Sequence, residues 1–278
     1  MIDFQKSKRL QSFIKKIKEN NSLVVDQVST AVKAFLISLI VDKNILIVTR
    51  QEKEDKLFDC LQFFLPTAPL ELPSWETLPE EDIDPSPDII GKRLETLEKI
   101  IEHKKQHVVV CPYSSLLQKL PEKALLKKLF QYWKIGSDIV FDELSELLTG
   151  LGYRQEALVT DKGQFALRGG ILDIFANHSY DPYRIEFFGN TIDSIRTFDP
   201  VGQKSLNKIN EVLICPASEK KLLDLSKPVS IIDYLGNDTV IVFEDLLKMH
   251  LLYSPWYPSY TPNAKPLHSQ KSKSTSLL

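Results

Sequence analysis

The sequence predicts a mixed α/β protein: a parallel-sheet α/β unit followed by a smaller α+β unit built on an antiparallel sheet. Three observations carry that expectation. Before about residue 120, strand-like runs that are apolar throughout alternate with stretches of helical periodicity. Strands apolar on both faces belong in a parallel sheet covered by helices on both sides. After about residue 135 the runs shorten and tight glycine turns join them, which is the pattern of antiparallel hairpins. Finally, 278 residues with 43% hydrophobic content suffice for two modest cores.

Each element follows from local pattern. Phe4, Phe13, Ile14 and Ile17 form an apolar stripe among lysines, so the chain opens on an amphipathic helix. Residues 22–25 read as a short buried strand, and Ser29 stands where it can cap a helix bearing Phe35, Leu36, Leu39 and Ile40. Residues 44–49 (NILIVT) are the strongest strand pattern in this half. Residues 52–65 are helical, with Leu57, Phe58, Leu61 and Phe64 on one stripe. A proline-rich stretch precedes a helix over 87–103, and 107–111 (HVVVC) closes the unit as another buried strand.

In the second unit a helix over 141–151 precedes strand-like runs at 155–159, 164–168, 171–175, 184–188 and 191–198. Gly189-Asn190 between two such runs is a two-residue hairpin signal. Residues 229–243 read as a return to buried strands, followed by a short helix over 244–253. The remaining 254–278, rich in Pro, Ser and Lys, has the composition of disorder. The expected divisions are therefore 1–120, 121–218, the start of a second, incomplete α/β segment at 219–253, and a tail at 254–278.

Bulk properties narrow the function classes. A formal net charge of -2 supplies no global attraction to duplex DNA or to an anionic membrane. Cys60, Cys111 and Cys215 are odd in number and widely spaced, which fits a reducing compartment and neither a disulfide framework nor a zinc site. The first eighteen residues lack the apolar segment of a signal peptide. The most apolar stretch, 31–48, is interrupted by Lys33, Asp42, Lys43 and Asn44. A cytoplasmic protein with no membrane partner is expected.

Candidate sites for chemistry are few. The turn over 26–33, Asp-Gln-Val-Ser-Thr-Ala-Val-Lys, stands where a strand would pass into a helix, as a phosphate loop does. It holds no glycine to let backbone N–H groups wrap phosphate, and Asp26 would repel one. His103 and His107 are four apart but without the intervening glutamate of a zinc protease helix, and His107 begins a strand. Glu80, Glu81, Asp82, Asp84 and Asp88 are interleaved with prolines and read as a solvated loop. The lysines over 6–18, with Arg9, read as the solvated face of the first helix. No catalytic residue, metal site or cofactor is expected.

The hairpin after residue 183 says more. Alternation puts Tyr183, Ile185 and Phe187 on one face and Arg184, Glu186 and Phe188 on the other. Two readings follow: Phe188 is an exposed anchor beside an arginine, the composition of interface hot spots, or it fills a second core.

Three blocks then bring a family into view. Residues 73–79 (PSWETLP) with 86–90 (SPDII), Arg93 and Leu94 form the first. Residues 163–175 (GQFALRGGILDIF) and 184–196 (RIEFFGNTIDSIR) form the others. Together they resemble the amino-terminal, UvrB-homologous region of the transcription-repair coupling factors, Mfd, from about residue 22 to 219. The second and third blocks also occur, in related form, in the excision-repair helicase subunit UvrB. The resemblance implies a helicase-type α/β domain with a degenerate nucleotide loop, and a second domain that binds UvrA. It assigns UvrA contacts to Arg168, Arg184 and Phe188, favouring an exposed Phe188.

Two departures from the family matter. The acidic, proline-rich loop stands where UvrB carries a tyrosine-rich hairpin, so damage clamping is not expected. The RNA-polymerase-interacting domain and the ATP-driven translocase motor are missing, so RNA polymerase, DNA and ATP would be engaged only by parts of the family outside this sequence. The chain accordingly reads as a fragment or truncated product. The leading expectation is a UvrA-recruiting adaptor in transcription-coupled nucleotide excision repair. Its rivals are a piece of a DNA translocase and a UvrB-like DNA-binding module.

Overall fold

The computed structural model describes residues 7–19, 23–40, 43–50, 55–77, 81, 83–103 and 106–244. In chain order the first elements are α1 (Lys8–Glu19), α2 (Thr30–Ser38), β1 (Ile45–Thr49), α3 (Asp55–Phe64), β2 (Leu70–Glu71), α4 (Pro87–Glu102) and β3 (Val108–Pro112). Next come α5 (Tyr113–Leu117), α6 (Lys123–Leu129), β4 (Gln131–Lys134) and a 3-10 turn (Phe141–Glu143) that runs into α7 (Leu144–Gly150). Seven strands follow: β5 (Arg154–Gln155), β6 (Gln164–Arg168), β7 (Ile171–Ile174), β8 (Tyr183–Phe188), β9 (Thr191–Phe198), β10 (Ser205–Ile209) and β11 (Glu211–Ile214). α8 (Glu219–Asp224), α9 (Ile231–Leu235) and β12 (Val240–Phe243) complete the described elements.

The first sheet has the order β12-β1-β3-β2, with every pair parallel. All residues of β1 and β3 are buried, as strands covered on both faces must be. Ala34, Ile37, Leu57 and Leu61 of α2 and α3 pack on Ile45, Ile47, Val108 and Val110. Leu46, Val48, Val109 and Cys111 point the other way, onto Ile90, Leu94 and Leu97 of α4 and Ile231, Tyr234 and Leu235 of α9. Helix α4 starts at Ser86, whose side chain accepts from the Ile89 N–H, with Pro87 and Asp88 in the first turn.

Four sequence expectations need correction here. Residues 23–25, expected to lie in a buried strand, are outside any sheet, and Val24 is 85% exposed. The place beside β1 is taken by β12, whose four residues pair in register with Ile45–Val48. Residues 219–244 therefore rejoin the first sheet instead of opening a second α/β unit. Within 229–243, residues 231–235 are helical: Ser230 and Asp233 form a reciprocal capping box and Gly236, at φ 90, ends the turn. The expected strand over 155–159 is short, because after Gln155 the chain lifts away and drops Val159 into a small cluster with Ala166, Phe175 and Phe198. Phe4, the helix over 244–253 beyond its first residue and the tail over 254–278 lie outside the described residues.

The second sheet has the order β10-β9-β8-β7-β6-β5, antiparallel except for the β5–β6 pair. Its inner face presents Phe165, Leu172, Ile174, Ile185, Ile192 and Ile195 to Leu144 and Leu148 of α7. A separate β4–β11 ribbon adds Trp133, Val212 and Ile214 to the same core.

The two sheets are joined by close contacts around α4. Gly91 lies so near the Asn177–His178 backbone that a Cβ would stand 2.3 Å from the Asn177 carbonyl carbon and oxygen. Lys162 reaches Asp88 at 2.5 Å. Arg93, wholly buried, donates from Nε to Glu219 Oε2 at 2.7 Å and from Nη2 to Oε1 at 2.9 Å. Its Nη1 donates to the Pro73 carbonyl at 2.6 Å, and the Trp75 indole N–H donates to the same Glu219 at 3.1 Å. Trp75 and Arg93 are the residues that make the first sequence block distinctive, and this network is what they build.

Candidate protein-interaction site

The site is the outer face of β6–β9. Ile185 is fully buried, while Tyr183 and Phe187 pack against the core of the second sheet. Phe187 meets Phe141 edge-on at 5.2 Å between ring centroids. That arrangement sets the register of β8 and turns Arg184, Glu186 and Phe188 outward. Gly189 supplies the left-handed turn at φ 61. Asn190 locks it, accepting from Ile139 N–H through its carbonyl at 2.7 Å and from Phe141 N–H through Oδ1 at 3.1 Å. Phe188 therefore stands at the end of a rigid strand, and it is 84% exposed.

The two arginines are placed differently from one another. Asp173 of β7 lies directly opposite Arg184 and is almost wholly buried. A buried carboxylate needs a partner charge. Arg184 meets it with both prongs, Nε to Oδ1 at 2.6 Å and Nη2 to Oδ2 at 2.8 Å. Arg168 donates from Nη2 to the same Oδ2 at 3.0 Å. Arg184 also stacks over Phe198, 4.5 Å from the ring centroid. Its hydrogen bonds to Asp173 raise its pKa further above the ordinary arginine value.

Alternation alone suggested that Arg184 projects outward beside Phe188, but its side chain is only 16% exposed and is committed to Asp173. Arg168, at 52%, is the accessible guanidinium. Two arginines share one carboxylate, leaving the group net positive. Glu186 beside them is paired with Arg196 and accepts from Ser194 Oγ at 2.7 Å, which holds its carboxyl below the usual range. The arrangement offers a preorganised cation and an aromatic ring to a partner surface, and nothing in it resembles a nucleophile with its base.

The sequence missed Asp173, Phe198 and Gln203 as parts of this site. A lone acid inside the apolar run 171–175 was the available signal; strand register decided which arginines it meets.

The remaining candidates fall elsewhere. Helix α2 begins at Thr30 with Ser29 at its N-cap position, and the Ser29 side chain makes no capping hydrogen bond. The 26–33 turn follows coil, so no strand leads into it. His107 Nε2 lies 2.8 Å from the His103 carbonyl. Of the acidic run, Asp88 pairs with Lys162 and the Glu81 carbonyl accepts from Lys220 Nζ at 2.5 Å, while Glu80 and Asp82 lie outside the described residues. Among the described residues no cluster of His, Cys, Asp and Glu is arranged to hold a metal ion, and no helix is long and apolar enough to cross a membrane.

Residues 132–219 match the model of the UvrB interaction domain family. The chain is 33% identical over 212 residues to the transcription-repair-coupling factor of Myxococcus xanthus, covering 74% of the chain and 17% of that protein. It is 30% identical over 207 residues to that of Escherichia coli, covering 73% of the chain and 18% of the relative. The match to the Staphylococcus haemolyticus protein is 31% over 245 residues, 86% of the chain and 20% of the relative. The chain spans about a fifth of the length of these curated relatives. Residues 132–219, from β4 to the start of α8, thus match the UvrB interaction domain, in a chain similar to the transcription-repair-coupling factors over most of its length.

Proposed function

We propose that this chain is a UvrA-recruiting adaptor acting in transcription-coupled nucleotide excision repair, with Arg168 and Phe188 touching the partner and Arg184 holding the face that presents them. The observation that carries the reading is Phe188: a large aromatic side chain held in solvent at the end of a strand whose other face is core. Exposure alone does not mark it, since Phe63 and Tyr180 are as open to solvent. What does is its place on the strand face that carries the Arg168–Asp173–Arg184 group, an aromatic ring beside arginines being the composition of interface hot spots. The domain match and the relatives' name support the same assignment.

In this reading Phe188 is the apolar anchor that fills a pocket on UvrA. Arg168 supplies an accessible charged hydrogen bond, and Arg184 braces Asp173 so that the strand face keeps its shape. Residues 26–33 hold no glycine and follow coil instead of a strand, so this reading calls on no nucleotide there. ATP use, and contacts with RNA polymerase or DNA, belong to parts of such factors outside these residues.

The test is UvrA affinity measured by calorimetry or interferometry for Phe188→Ala and Arg168→Ala, chosen because both side chains are exposed. Phe188→Ala is expected to weaken binding by about 2 kcal/mol or more, roughly thirtyfold, while folding stability stays within about 0.5 kcal/mol. Undiminished affinity in the folded double variant would overturn the assignment.

A further inference from the structure

The loop between β9 and β10 closes a hairpin and also reaches back to the outer face of β8. Gln203 lies in the left-handed region at φ 56, a conformation taken by one other non-glycine residue among those described, Gln27. Asp199 builds the turn that places it there. Its Oδ1 accepts from Val201 N–H at 3.0 Å and its Oδ2 from Gly202 N–H at 2.9 Å, while its carbonyl accepts from Gln203 N–H at 2.7 Å.

The Gln203 side chain is oriented from its far end. Nε2 donates to the Pro200 carbonyl at 2.8 Å and to the Val159 carbonyl at 3.2 Å. Oε1 is thereby aimed at Arg184 and accepts from Nη2 at 3.2 Å, and the Gln203 carbonyl lies 3.5 Å from Nη1. Asp173 grips the guanidinium along one edge and Phe198 lies under its plane. Gln203 supplies acceptors on the edge that Asp173 leaves open. A left-handed residue after a turn is an ordinary way to close a hairpin; what closure does not account for is the pair of acceptors that Gln203 presents to Arg184.

We propose that Gln203 is a positioning residue for Arg184 and hence for the recognition face, an inference that rests on the adaptor reading for the identity of the partner. It clamps the guanidinium of a neighbouring strand so that the Arg168–Asp173–Arg184 group keeps one geometry.

The test uses Gln203→Gly, which relaxes the backbone, and Gln203→Asn, which tolerates the left-handed conformation but is too short to reach Arg184. Each is made alone and with Arg184→Ala, and folding is checked by thermal denaturation. Affinity for UvrA is expected to fall about three- to tenfold in either single variant, with no further loss when Arg184 is already alanine. In nitrogen NMR of the free chain, the Arg184 guanidinium, still held along one edge by Asp173, should rotate measurably faster about its Nε–Cζ bond in both variants. Unchanged guanidinium signals, or an equal loss of affinity with and without Arg184, would overturn the proposal. If the unsubstituted chain fails to bind UvrA, the adaptor reading falls, and the NMR comparison still decides whether Gln203 positions Arg184.

Discussion

Glu219→Ala would leave the fully buried Arg93 guanidinium without its carboxylate. Three hydrogen bonds are lost: Arg93 Nε at 2.7 Å, Arg93 Nη2 at 2.9 Å and the Trp75 indole N–H at 3.1 Å. Removing one partner of a buried ion pair costs about 3–5 kcal/mol, because the remaining charge has been taken out of water and no longer has compensation. Arg93 Nη1 keeps the Pro73 carbonyl, Ser115 Oγ and Gln118 Oε1, which places the expected loss near the lower end, about 3 kcal/mol. Urea denaturation followed by tryptophan fluorescence should show the midpoint falling by about 1–2 M. Replacing both charges, as Arg93→Met with Glu219→Leu, removes the unpaired charge but leaves the Trp75 indole N–H without an acceptor, so it should recover only part of the loss, about 1–2 kcal/mol. A single variant within about 1 kcal/mol of the unsubstituted chain would refute the reasoning, and so would a double variant less stable than either single one.

Two further outcomes follow from the contacts between the sheets. Burial pushes the His178 imidazole down to about 4, against the opposing influence of Glu95 and with help from Lys162 and Lys99. Above its ordinary value of 6.5 both folded and unfolded chains carry it neutral, so it adds no pH dependence there. As the pH falls from 6.5 towards 4 the unfolded chain takes up a proton that the folded chain refuses, and stability drops by about 3 kcal/mol in all. Denaturation curves across that window should be flatter for His178→Asn; an identical slope would exclude His178 as the source. Gly91→Ala would force a Cβ to within 2.5 Å of the His178 backbone nitrogen, where no side chain can rotate away. Helix α4 must then shift, at a cost of about 3 kcal/mol or more, and a melting temperature unchanged by the substitution would show that the contact is looser than described.

Pattern alone made much of the architecture legible. Unbroken apolar runs at 44–49 and 107–111 became β1 and β3, and Gly189-Asn190 became the β8–β9 turn. The errors have physical causes. Residues 22–25 and Val240–Phe243 are both short and apolar, and nothing local says that the second and not the first pairs with β1. The apolar residues of 231–235 read as strand because a five-residue segment shows too little periodicity, although Ser230 and Asp233 at capping-box spacing were there to be seen.

The candidate site divides the same way. The alternation of β8 and the hairpin glycine were written locally, since a strand's two faces depend only on residue parity; Arg168, Arg184 and Phe188 were singled out together only by the resemblance. What no local pattern contains is register between strands distant in sequence. Pairing of β7 with β8 set Asp173 against Arg184 and turned an apparently free arginine into a brace. The return of the β9–β10 loop brought Gln203 to its open edge. Charges find their partners only after the sheet has closed, so the sequence by itself determined which side chains could face a partner, and the tertiary structure decided which of them remain available to one.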